Sequence, residues 1–211
     1  FFFKQKTAYE IYQCDWSSDV CSSDLGLTRE QIWAANGSNE VLQHILQAFG
    51  GPGRRALGFS PTYSMYPILT RATGAEWVAA EREHDYTLSP AFAAEQVVRE
   101  NPDIVFLCAP NNPTGTPLGL DVIEAVYAVT DGIVIVDEAY HEFAPHDAPS
   151  AVTLLPGRPR LVISRTMSKA FAFAGARVGY LAADPALIDA LRLVRDRKST
   201  RLNSSHTDIS R

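Results

Sequence analysis

Short runs of unbroken apolar residues constrain this chain more than any other feature. Ile104-Val105-Phe106-Leu107-Cys108 and Ile133-Val134-Ile135-Val136 carry no polar alternation, and between them lies a helical pattern from about Leu120 to Val129. Leu161-Val162-Ile163-Ser164 and Arg177-Val178-Gly179-Tyr180-Leu181 continue the series, while Ala56-Leu57-Gly58-Phe59 and Glu76-Trp77-Val78-Ala79 begin it. A half-exposed strand alternates polar and apolar residues, so runs apolar on both sides belong to a sheet covered on both faces. Helices supply the cover. Val41/Leu42, Ile45/Leu46 and Phe49 share one helical face, and Gly50-Gly51-Pro52-Gly53 stops that helix. Another starts after Ser60-Pro61-Thr62 and runs towards Gly74. A third follows Ser89-Pro90, where serine can cap and proline fits the first turn. The expected fold is therefore α/β, a three-layer arrangement of a mostly parallel sheet with helices on both faces.

Charge and cysteine usage narrow the functional classes. A formal net charge of -5 over 211 residues argues against a nucleic-acid partner, since such domains are clearly basic. No apolar run approaches the roughly 20 residues needed to cross a bilayer, and the start lacks the pattern of a signal peptide, so no membrane association and a cytoplasmic location are expected. Cys14, Cys21 and Cys108 form no CxxC pair and no metal spacing. No metal site is expected, and Cys108 reads as a small buried thiol.

The two ends differ in composition from the middle. Residues 1–25 repeat a Ser-Ser-Asp phrase without periodicity, and residues 198–211 are similarly polar and aperiodic. Both resemble translated adaptor DNA at the ends of environmental sequences. The expectation is thus a non-native segment at 1–25, a partial natural domain at 26–197 and a non-native tail at 198–211.

In an open α/β sheet, ligands sit beyond the carboxyl ends of the strands. Polar clusters stand there: Ala109-Pro110-Asn111-Asn112-Pro113-Thr114-Gly115, Asp137-Glu138-Ala139-Tyr140 and Ser164-Arg165-Thr166-Met167-Ser168-Lys169, with Asn36-Gly37-Ser38-Asn39-Glu40 leading into the first helix. Chemically, Lys169 is an amine placed at a strand end, suited to a covalent link with an aldehyde. Asp137 follows a run of β-branched residues and should be buried. Gly37, Ser38 and Asn39 open a helix whose N-terminus attracts anions, and Ser168 and Arg177 add a hydroxyl and a guanidinium. Glu40 reads as a helix-start residue, and His141 as a structural histidine.

Taken with Pro61-Thr62-Tyr63-Ser64-Met65-Tyr66 and Asp137-Glu138-Ala139-Tyr140-His141-Glu142-Phe143, these clusters resemble, in order and spacing, those of pyridoxal-phosphate-dependent aminotransferases of the aspartate-aminotransferase fold type, and among them the histidinol-phosphate branch. The resemblance implies pyridoxal 5'-phosphate as cofactor, held covalently by Lys169 as the catalytic residue. It implies Asp137 at the ring nitrogen, Asn112 and Tyr140 at the ring hydroxyl, and Tyr63 stacked on the ring. Gly37, Ser38, Asn39, Thr166, Ser168 and Arg177 would hold the phosphate.

The reaction implied is transamination between histidinol phosphate and 2-oxoglutarate by a homodimer. Transamination of aromatic amino acids and decarboxylation of threonine phosphate are alternatives on the same scaffold. The resemblance also places the substrate-carboxylate arginine in a small C-terminal domain and a partner-lent tyrosine in an N-terminal part. Neither is matched in this chain, which is therefore expected to be inactive alone. From other classes, a nucleotide-binding module competes because Ile133–Val136 followed by Asp137-Glu138 also suits a magnesium-holding strand end, but the chain lacks G-x-x-x-x-G-K-[ST]. A non-functional gene fragment is the remaining alternative, which soluble expression with cofactor colour would exclude.

Overall fold

A computed structural model describes residues 25–170, 175 and 177–194. The expectation of foreign end segments at 1–25 and 198–211 falls, apart from Leu25, outside these residues. Seven strands form one sheet: β1 (Ile32–Ala35), β2 (Arg55–Ser60), β3 (Glu76–Glu81), β4 (Ile104–Cys108), β5 (Ile133–Asp137), β6 (Leu161–Thr166) and β7 (Gly179–Ala183). The helices are α1 (Ser38–Phe49), α2 (Met65–Ala72), α3 (Pro90–Glu100), α4 (Leu120–Val129) and α5 (Pro185–Val194). Strand order is β1-β7-β6-β5-β4-β2-β3. The five strands from β6 to β3 run parallel, while β7 is antiparallel to β6 and to β1.

The sheet is covered on both faces, as its apolar strands require. Successive strand residues point to opposite faces. Val105, Leu107, Val134 and Val136 pack with Ala93 and Val97 of α3 and with Val122, Ile123 and Val126 of α4. Ile104, Phe106, Ile135 and Val162 pack on the other side with Val41, Leu42, Ile45 and Leu46 of α1, Tyr66 of α2, and Leu187, Ile188 and Leu191 of α5. The four α1 side chains are fully buried, each contributing on the order of 2 kcal/mol of apolar transfer. This is the three-layer α/β arrangement expected from the apolar runs.

Differences lie at the margins. The short β1 and the edge pair it makes with β7 are not announced by any long apolar run; Ile32-Trp33-Ala34-Ala35 becomes a strand because β7 offers it a ladder, Ile32 opposite Ala182 and Ala35 opposite Gly179. Ser89 stands at the N-cap of α3 in an extended conformation without capping it, because its hydroxyl is turned to Glu83 Oε1 at 3.2 Å. Proline at the first turn suffices there.

Candidate functional site at the strand ends

At the carboxyl ends of β4, β5 and β6 lies a cleft of about 230 Å³ lined by Gly37, Ser38, Asn39, Tyr63, Cys108, Asn112, Asp137, Ala139, Tyr140, Thr166, Ser168, Lys169 and Arg177. Every residue singled out from the sequence as a site candidate is in this lining. The fold brings them from six separate stretches of chain, chiefly because parallel strands release their polar clusters at the same sheet edge, where the antiparallel β7 also begins.

Asp137 sits at the floor. It is the last residue of β5, 3% exposed and paired in register with Cys108 of β4. Its Oδ2 accepts the Tyr66 hydroxyl at 2.8 Å and its Oδ1 accepts the Ala139 N–H at 3.2 Å. Among the described residues no cation lies within ion-pair distance of it. Burial pushes its carboxyl up to about 6, against which the Tyr66 hydrogen bond pulls down. The same burial, with Asp137 nearby, raises the Cys108 thiol to about 11, so that thiol stays protonated and unreactive.

An anion cradle forms the opposite end. Gly37 caps α1 with φ 84°, a left-handed conformation, and a Cβ there would stand 3.0 Å from Arg177 Nη2. Arg177 itself has φ 51°, an uncommon conformation for a non-glycine residue that costs about 1 kcal/mol or more. Gly179 of β7 lets the strand pass against the helix start: a Cβ at 179 would lie 2.3 Å from Gly37 C and Ser38 N. The free N–H groups at the start of α1, the Arg177 guanidinium, and the Thr166 and Ser168 hydroxyls 2.6 Å apart thus face one space. Glu40 turns back to accept the Asn36 N–H at 2.5 Å, a helix-start role as expected.

Tyr63 lies between the two ends, its hydroxyl donating to Asn39 Oδ1 at 3.2 Å and its ring edge-on to Tyr66 at 5.4 Å. The Lys169 ammonium nitrogen lies 5.3 Å from the centre of the Tyr140 ring. Lys169 itself is exposed. Phe171 and Ala172, which follow in sequence, lie outside the described residues.

Two functional features were not legible in the sequence reading. Tyr66 was quoted only as part of a motif, yet it is fully buried and bonded to Asp137. Glu138, 2% exposed, accepts from Arg165 Nη2 at 2.8 Å, Ser150 Oγ at 2.9 Å and the Ala151 N–H at 2.6 Å. That network ties the loop after β5, which carries Tyr140, to β6, which leads to Lys169. It also consumes the carboxylate that a magnesium-binding reading would need, and no acidic, histidine or cysteine cluster suited to a metal occurs among the described residues. His141 lies 3.9 Å from Glu138, in keeping with a structural role. No helix among the described residues is long and apolar enough to cross a membrane.

The profile of the family described as aminotransferase class I and II matches residues 15–208. Histidinol-phosphate aminotransferase of Paenarthrobacter aurescens is 66% identical over 173 residues, covering 81% of this chain and 46% of that protein. The enzyme of the same name from Thermobifida fusca is 56% identical over 170 residues, again covering 81% and 46%. The chain thus spans less than half the length of these relatives. Among solved structures, histidinol-phosphate aminotransferase from Sinorhizobium meliloti in complex with pyridoxal-5'-phosphate superposes with a TM-score of 0.78 at 26% identity, covering 85% of this chain and 49% of that one. An aspartate aminotransferase variant of Thermus thermophilus gives 0.74 at 25% identity, with 87% and 53% covered.

Proposed function

We propose that this chain, which belongs to the aminotransferase class I and II family, is the cofactor-binding part of an enzyme that moves the amino group of histidinol phosphate to 2-oxoglutarate, using pyridoxal 5'-phosphate. One observation carries the reading. A buried carboxylate without a cationic partner, an anion cradle and a lysine amine stand around a single cleft, with an aromatic ring between its ends.

The cleft fits the cofactor in chemical type at each point. Among the described residues Asp137 has no cation at ion-pair distance, and a protonated ring nitrogen would supply one, lowering its carboxyl from about 6. The start of α1 with Arg177, Thr166 and Ser168 offers N–H, guanidinium and hydroxyl donors for the phosphate, and Gly37 and Gly179 keep that cradle free of side chains. Tyr63 offers a ring face, and Asn112 and Tyr140 offer donors for the ring hydroxyl. When bound, pyridoxal phosphate supplies an electron sink for the pair left on the substrate's α-carbon.

The chain's own residues do the rest. Lys169 would offer the amine for the covalent link and would carry the substrate's α-proton on Nζ. Asp137 keeps the ring nitrogen protonated. Tyr63, Asn112 and Tyr140 would hold the ring, and with it the substrate, in a fixed orientation. The identity of 66% with a histidinol-phosphate aminotransferase supports that amino donor over others. A cytoplasmic homodimer is part of the same reading.

The test is a coupled assay of the full-length protein with histidinol phosphate and 2-oxoglutarate, beside aromatic amino acids and threonine phosphate. Highest kcat/KM is expected for histidinol phosphate. A preference for an aromatic amino acid, or carbon dioxide release from threonine phosphate, would overturn the substrate assignment.

A further inference from the structure

The residue that connects the separate parts of the cleft touches none of its open space. Tyr66 is 0% exposed, on the helix that packs over β4 and β5. Its ring stacks on Phe106 at 4.6 Å and 17°, and meets the Tyr63 ring edge-on at 5.4 Å and 82°. Its hydroxyl donates to Asp137 Oδ2 at 2.8 Å, across 71 positions of sequence. Tyr63 in turn reaches Asn39 in the cradle at 3.2 Å. A continuous path thus runs Asn39, Tyr63, Tyr66, Asp137, from the anion cradle to the floor carboxylate.

We infer that Tyr66 is a positioning residue of this site: its hydroxyl holds Asp137 charged and aimed into the cleft, while its ring sets the tilt of Tyr63. The inference rests on the proposed function, since it concerns how the site meets a cationic ring nitrogen. The surroundings of Asp137 leave Tyr66 as its main source of stabilisation. Burial keeps the Cys108 thiol of β4 protonated, Glu138, the residue after β5, is paired with Arg165 of β6 at 2.8 Å, and Tyr140 lies on the loop beyond. Lys169 and Arg177 line the cleft but lie beyond ion-pair distance of Asp137, and Arg82 acts on Tyr66 and Cys108. Against the burial that raises its carboxyl to about 6, the opposing influences are the Tyr66 hydroxyl and the Ala139 N–H. The amide is fixed by the turn; the hydroxyl can be removed by one substitution that keeps the ring.

Tyr66→Phe deletes the donor and leaves the stacking on Phe106 and the contact with Tyr63 in place. Asp137 then ionises at higher pH, so cofactor capture suffers where the wild-type carboxylate is only partly charged and recovers where it is fully charged. The experiment is titration of pyridoxal phosphate into the cofactor-free full-length protein at pH 6 and at pH 8.5, followed by absorbance, for wild type, Tyr66→Phe and Tyr63→Phe. The cofactor's own ionisations cancel in the ratio of dissociation constants. For Tyr66→Phe that ratio is expected to be about fivefold at pH 6 and within about twofold at pH 8.5. For Tyr63→Phe it is expected to be the same at both, because the bond it removes involves no group titrating in this range. The acid limb of kcat/KM should move up by about one pH unit in Tyr66→Phe alone. Equal ratios at the two pH values for Tyr66→Phe would reduce Tyr66 to a packing residue and overturn the inference. Wild-type protein that captures no cofactor at either pH would overturn the proposed function together with it.

Discussion

Asp137 illustrates how one residue can trade stability for chemistry. Burial raises its carboxyl from 3.8 to about 6, so the folded chain without cofactor binds a proton that the unfolded chain has already released. The contribution is complete in acid and is lost as pH rises through the folded value. Relative to Asp137→Asn, the cofactor-free wild type should lose about 1.4 kcal/mol of unfolding free energy between pH 5 and pH 8. Urea denaturation of both proteins at the two pH values checks this, and a pH-independent difference would contradict it. The same substitution should remove most of the turnover, because an amide cannot hold a ring nitrogen protonated. Lys169 trades nothing, being exposed. Lys169→Ala should therefore leave stability within about 0.5 kcal/mol. It should also abolish the borohydride-fixed cofactor adduct, read by mass spectrometry; an adduct surviving on another lysine would reassign the role.

Elements position these residues by contacts that leave little slack. The start of α1 and the strand β7 touch backbone to backbone, with Gly179 at the crossing. Gly179→Ala places a methyl 2.3 Å from the backbone of Gly37 and Ser38, where no flexible side chain can yield. The helix start must shift, at a cost of about 1–3 kcal/mol. Cofactor affinity should fall at least about tenfold, the loss of one well-placed charge-assisted interaction with the phosphate. Equilibrium unfolding and cofactor titration measure the two effects, and unchanged affinity would separate the cradle from phosphate binding. The loop after β5 is anchored differently, by Glu138 against Arg165, both largely buried. Glu138→Ala leaves that guanidinium without its partner and should cost about 3–5 kcal/mol. A cost below about 1 kcal/mol in thermal or urea unfolding would show that Ser150 and Glu142 suffice to hold Arg165.

At the scale of the whole molecule, the described residues contain the cleft proposed to hold the cofactor, while the chain spans 46% of the length of a relative it matches. Assayed alone beside the full-length protein with histidinol phosphate, 2-oxoglutarate and pyridoxal phosphate, the 211-residue chain is expected to show no measurable turnover. Turnover within about tenfold of full length, a gap of about 1.4 kcal/mol in barrier, would show that the site needs nothing further. The layered sheet and most of the cleft lining were legible in the sequence as local pattern, while Tyr63 was singled out only by the resemblance to the aminotransferases. An apolar run followed by a polar cluster is a local pattern, and parallel strands deliver all such clusters to one edge. Hence Asn112, Asp137, Tyr140, Lys169 and the α1 start could be gathered before any coordinate was known. What local pattern cannot encode is which distant side chain closes on which. The Tyr66 bond to Asp137, the Glu138 bond to Arg165, the antiparallel β1–β7 edge and the open setting of Lys169 join or separate residues far apart in sequence. Those were decided by the order of strands in the sheet and by close packing, which act only once the chain has folded.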